Sequence, residues 1–148
     1  MKRNFKTLFE TIIIALTLAA AAQADSKPLQ LALVDPVQLV SAETSISGFR
    51  LNILYGRNES VKGMDLGLLV GVADSSFTGW QYNLLGNITK GDFSGLQMGF
   101  VNYAGNAKGL QLGVINYAGS LKGLQIGLIN IIDKGGVLPV MPFINWSF

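Results

Sequence analysis

GLQLGVINYAGSLKGLQIGLIN occupies residues 109–130 and says nearly the same thing twice, with Gly109 and Gly123 fourteen residues apart. Inside it, Leu110, Leu112 and Val114 alternate with Gln111 and Gly113. Successive side chains of a β-strand point to opposite faces, so a period of two makes this stretch strand rather than helix. A helix would space its apolar residues three and four apart.

The unit recurs along the chain. Copies open at Gly48, Gly63, Gly79, Gly95, Gly109 and Gly123, at spacings of 15, 16, 16, 14 and 14 residues. The last three are close copies. Their third place holds Gln97, Gln111 and Gln125, their fifth Gly99, Gly113 and Gly127, and their eighth Asn102, Asn116 and Asn130. The first three are degenerate, with Arg50, Asp65 and Gln81 in the third place. Stretches such as AGNAKG and AGSLKG separate the strands and carry residues suited to tight reversals. A worn copy at residues 28–41 and an apolar end at residues 136–148 bring the strand candidates to eight.

Eight short strands with one apolar and one polar face must hide both that face and the sheet edges. The expectation is an all-β, eight-stranded antiparallel up-and-down β-barrel of the outer-membrane type. The apolar face would meet lipid and the polar, small face would line the interior. In that reading Gly99, Gly113 and Gly127 relieve crowding inside a narrow barrel. Leu54, Leu69, Leu85, Val101, Ile115 and Ile129 would plug its lumen, and Trp80, Tyr82, Tyr103, Tyr117 and Trp146 could form aromatic girdles. The alternative is a β-solenoid of 14–16-residue repeats, in which like columns stack as ladders. The drifting period and the charges at Arg50 and Asp65 weigh against it. Strict alternation would put Asn102, Asn116 and Asn130 on the apolar face; either a bulge after Val114 turns Asn116 inward, or the Asn row lies at the headgroup level.

The amino-terminal residues read as an address. Lys2, Arg3 and Lys6 precede an apolar run at residues 12–22, and Ala22-Gln23-Ala24 is a small-x-small cleavage site. The run is too short to span a bilayer, which takes roughly 20 residues. The expected organisation is a cleaved signal peptide at residues 1–24 and a single β-repeat domain at residues 25–148, exported to the outer membrane or cell surface of a Gram-negative bacterium, with periplasm or secretion as the alternative. Cleavage would remove Lys2, Arg3, Lys6 and Glu10, leaving eight basic and eight acidic residues. No basic footprint for nucleic acid survives.

The chain has neither Cys nor His. Disulfides, the usual zinc ligands, a Cys nucleophile and the commonest general base are therefore excluded. Asp65, Asp74 and Asp92 are conceivable acids, but Asp74 and Asp92 fall in turns, where Asp serves the backbone. Asp65 beside Arg50 reads as an interior ion pair. A non-enzymatic protein without cofactor or metal is expected. Its role would be structural or in surface interaction, and the alternative is a soluble β-repeat binding module.

The units GLQMGFVN, GLQLGVIN and GLQIGLIN, with the closing LPVMPFINWSF, resemble a family of exported bacterial surface-repeat proteins. The resemblance covers residues 95–130 and the carboxyl terminus, and it implies export and a repeat-built β-structure at the cell surface. The final strand, with Ile144, Trp146 and Phe148, also resembles the terminal assembly signal of outer-membrane barrels. That implies outer-membrane lipid and the barrel-assembly machinery as partners. The resemblance assigns no catalytic residue and no surface ligand.

Overall fold

A computed structural model describes residues 26–148. The expected signal peptide lies outside the described residues. Six strands form one sheet in the order β2-β1-β3-β4-β5-β6. They are β1 (Ser26–Val34), β2 (Val37–Gln38), β3 (Ser45–Gly67), β4 (Val70–Asn83), β5 (Gly86–Lys134) and β6 (Val140–Ser147). At 49 residues, β5 is far longer than any single strand of a barrel and winds through several coils. β1 on β3, β3 on β4 and β4 on β5 are all parallel. Only the end strands, β2 and β6, run antiparallel to their neighbours.

The fold is thus a β-solenoid of about five turns, and the expected antiparallel outer-membrane barrel is wrong. Each repeat is one coil lying on the last. Gly63 pairs with Gly79 and Gly79 with Gly95, Met64 with Trp80 and Trp80 with Leu96. The period drift that weighed against this fold is absorbed where the coil turns. Where the fourth coil has Phe100-Val101, the third has Leu84-Leu85-Gly86. It also carries one more residue in the turn before Phe93 than its successor does before Ala107. The straight segments keep register regardless.

The opening glycine now has a reason. Gly48, Gly63, Gly79, Gly95, Gly109 and Gly123 all hold φ between 130° and 149°, a region that side chains resist. A Cβ on Gly109 would also collide with the Gly95 carbonyl of the coil beneath. At the fifth place the crowding is real, but no barrel lumen causes it. A Cβ on Gly113 would meet the Gly99 carbonyl and the Asn102 amide.

Two compartments fill the coil. Ile46, Val61, Phe77, Phe93, Ala107 and Leu121 stack as one buried apolar column. Ala73, Ala104, Ala118 and Ile132 pack against it. Phe77 and Phe93 stack with ring centroids 6.0 Å apart. The other compartment is polar. Gln81, Gln97, Gln111, Gln125, Asn87, Asn102, Asn116 and Asn130 are all fully buried. The walls around that polar half carry the repeat's large apolar residues, which point outward. The column of Leu54, Leu69, Leu85, Val101, Ile115 and Ile129 fills no lumen. It lies on the outside of the coil, with Leu54, Leu85 and Ile129 exposed.

Both ends are capped. At the start, β1 continues the stack with Gln30 over Arg50, and β2 folds back on β1. At the end, β6 lies antiparallel on the last coil, pairing Leu124 with Trp146 and Gln125 with Asn145. Ile144 and Trp146 face outward, and Phe148 lies beyond β6 and is 95% exposed. This strand closes a solenoid; the fold contains no barrel for it to close.

Candidate functional surface

The polar interior is built from two amide ladders of opposite sense. In the first, Gln125 Nε2 donates to Gln111 Oε1 at 2.7 Å, Gln111 to Gln97 at 2.8 Å and Gln97 to Gln81 at 2.9 Å. In the second, Asn87 Nδ2 donates to Asn102 Oδ1, Asn102 to Asn116 and Asn116 to Asn130, each at 2.8 Å. The remaining amide hydrogens stitch opposite walls together. Gln111 reaches the Tyr117 carbonyl at 3.1 Å, and Asn102 reaches the Leu112 carbonyl at 2.8 Å. A buried polar group costs little only when its bonds are made, and here identical residues in successive coils make them. The ladders explain why Asn116 faces inward. The coil turns at Gly113-Val114-Ile115 and resets the alternation, so a solenoid corner turns Asn116 inward in place of either a bulge or a headgroup-level Asn row.

Arg50 and Asp65 continue the Gln column instead of breaking it. Both are fully buried. Arg50 Nη2 sits 2.7 Å from Asp65 Oδ2, and Arg50 Nε donates to Oδ1 at 2.9 Å, forming a two-point pair. Asn52, Gln81 and Asn83 also donate to the Asp65 carboxylate, at 2.7, 3.2 and 2.9 Å. Both ladders therefore begin at one buried anion. At the far end the Gln125 Oε1 acceptor is buried without a partner. The amide of the Asn145 opposite it donates instead to the Leu138 carbonyl at 2.9 Å. The Gln ladder stops at β6.

The outside divides just as sharply. Around the polar compartment the surface is apolar: Ile53 and Leu54, Leu68 and Leu69, Leu84 and Leu85, Phe100 and Val101, Val114 and Ile115, Leu128 and Ile129 form a ridge at the corner. Leu68, Leu84, Phe100 and Leu128 are each more than half exposed. Beside the first coil an open recess of about 510 Å³ is lined by Leu31, Leu33, Val37, Leu39, Leu51 and Ile53. The alternation in the sequence puts Ile53, Leu68 and Leu84 on one apolar face and Leu54, Leu69 and Leu85 on the other; the corner brings both columns onto one outer surface.

Around the apolar compartment the surface is polar. A trough of about 360 Å³ is lined by Ser76, Thr78, Asp92, Asn106, Lys108 and Lys122. In it Asn106 donates to Asp92 at 2.9 Å, and Ser120 donates to Asn106 at 2.9 Å. Asp74 lies apart from Asp92 in a surface latch. Arg57 Nε donates to it at 2.7 Å, and Lys90 pairs with its other oxygen. Burial would raise the Asp74 carboxyl, but hydrogen bonds from Lys90 and Arg57 prevail and hold it below its ordinary value. The Tyr117 hydroxyl donates to Asp133 at 2.8 Å, and that bond raises its pKa. Asp65, Asp74 and Asp92 thus occupy three separate settings: a buried pair, a surface latch and an open trough.

Among the described residues, no three acidic side chains gather as a metal site, and no helix is long and apolar enough to cross a membrane. Comparison with family models, with curated proteins and with solved structures gives no match. What the geometry defines is a class: a β-solenoid repeat domain with a polar core under one half of its surface.

Proposed function

We propose that this chain is an exported, non-catalytic β-solenoid that works as a binding module, presenting a rigid repeat surface to a partner. The observation that carries the reading is the use made of its polar groups. The repeated Gln and Asn side chains, with Arg50 and Asp65, are spent inside the coil on ladders, while the outward columns of the same repeats are large and apolar. Such an arrangement builds a stiff rod with a surface to offer. The Lys2–Ala24 pattern of charge, apolar run and small-x-small site supports export. The resemblance of the GLQxGxxN units to exported surface-repeat proteins supports the same reading.

The test is expression of the full chain in a Gram-negative host, with fractionation and mass analysis. The expected product leaves the cytoplasm and begins at Asp25. A cytoplasmic product that keeps residues 1–24 overturns export. A turnover activity that disappears in Asp65→Asn, Asp74→Asn or Asp92→Asn, with the far-UV circular dichroism of the parent retained, overturns the non-catalytic role.

A further inference from the structure

We infer that the apolar corner ridge seats the solenoid on a lipid surface; the inference rests on the proposed reading of an exported binding module. Four observations carry it.

The first is segregation of charge. In the coils opening at Gly48 through Gly123, every side chain pointing outward along the first straight wall and around the corner is apolar or aromatic; Arg50 and Asp65, the charged members of that stretch, point inward. Lys62, Lys108 and Lys122 lie on the opposite edge and are exposed. One side of the rod is dressed for water and the other is not.

The second is shape. The apolar surface wraps a convex corner. Leu84 and Phe100 stand on the corner itself, and Met64, Trp80 and Ile126 stand on the wall leading to it. A second copy docking face to face covers one plane and leaves the other apolar plane in water. A fluid hydrocarbon covers both.

The third is the backbone. Hydrocarbon admits chain only where N–H and C=O groups are already paired. The corners of the third and fourth coils meet that condition. Leu84 N donates to the Gly67 carbonyl at 3.2 Å, Leu85 N to Leu69 at 3.0 Å, and Phe100 N and Val101 N to Leu84 and Leu85 at 2.9 Å. Beneath the corner the amide ladders absorb the polar side chains, so these are turned away from a lipid tail.

The fourth is the border. Tyr103 and Tyr117 stack at 4.9 Å where the second wall leaves the ridge for the polar edge, and the Tyr117 hydroxyl reaches Asp133. Tyrosine, with an apolar ring and a polar tip, favours that position between hydrocarbon and water. The embedded part is an edge, with the lysine-bearing side left in solution. This is surface seating, not a span.

The experiment uses the exported chain, its amino terminus fixed by mass, floated with vesicles of phosphatidylcholine alone and of phosphatidylethanolamine with phosphatidylglycerol. Parent protein is compared with Leu84→Asp/Leu128→Asp, with the milder Leu84→Ser/Leu128→Ser, and with Lys108→Ser/Lys122→Ser on the far edge. Each is checked by circular dichroism. The ridge is uncharged, so the parent is expected to float with both vesicle types. The Asp pair should lower the bound fraction at least about tenfold, given the apolar area lost from contact. The Ser pair should lower it less, and the Lys pair should leave it near the parent value. A leader retained on the chain would bind every variant alike. The parent-to-variant ratio therefore reads the ridge, while the amino-terminal mass separately reads export. Equal flotation of parent and both ridge variants overturns the inference. So does flotation confined to anionic vesicles and lost in the Lys pair. A parent that ignores vesicles but forms a dimer broken by the ridge variants assigns the ridge to a second copy and also overturns it.

Discussion

The Gln column shows most about what a single residue does here. Gln125, Gln111 and Gln97 each donate to the glutamine of the coil before, Gln81 donates to Asp65, and Arg50 in the next coil down neutralises that charge. A buried ion pair is weak evidence of stability in itself, but removing one partner leaves the other charge uncompensated. Asp65→Ala is therefore expected to cost about 3–5 kcal/mol in chemical denaturation, since the Arg50 charge would remain buried without a counter-ion. Arg50→Gln/Asp65→Gln should come much closer to the parent, because it extends the ladder with the residue the later coils use. A double variant no better than the single would mean that the pair has a role the ladder cannot supply. In the sequence these two residues read as an interior ion pair but also as breaks in a repeat, and the pairing alone did not reveal that they prolong the Gln column. A column read down one chain does not say that its members will be stacked in contact, so a charge pair there looks like an interruption until coils touch.

The coil is the element of this molecule. Repeat proteins are held chiefly by contacts between neighbouring units, so removing an internal unit preserves the join. Deleting residues 109–122 brings Gly123 onto Gly95, Gln125 onto Gln97 and Asn130 onto Asn102. The shortened chain is expected to keep its β circular dichroism and to unfold at a lower temperature. The caps behave differently. Phe148 lies outside β6 and is almost fully exposed, so its deletion should shift stability by no more than about 0.5 kcal/mol. Removing residues 140–148 would uncover the edge of the last coil, and aggregation is expected, read by light scattering. A chain unfolded by loss of one internal coil would contradict nearest-neighbour stacking. The unit length and the two-residue period were legible in the repeats, but AGNAKG and AGSLKG, expected to be tight reversals, lie within the continuous β5. The sense of pairing was not, because the alternation that suits an antiparallel hairpin suits a parallel coil equally well.

Across the whole molecule, stability should run with position along the rod. Each inner coil has a neighbour on both sides, whereas β1 with β2 and β6 have the stack on one side only. Hydrogen exchange is expected to be slowest in the coils of Gln97 and Gln111 and fastest at β2 and β6. Uniform protection from end to end would instead mark a single all-or-none unit.

By itself the sequence determined strands of period two, six coil-length repeats with an obligatory glycine, and the export-like leader pattern. It also determined which residues share a column. Only the tertiary structure decided what each column meets. Parallel stacking places a residue on its own counterpart 14–16 positions away, so Gln and Asn satisfy themselves in the interior and drive the leucines outward. The usual expectation that apolar residues seek the core or a barrel's lipid face rests on polar groups needing water. Amide ladders remove that need, and with it the cue that would have told inside from outside.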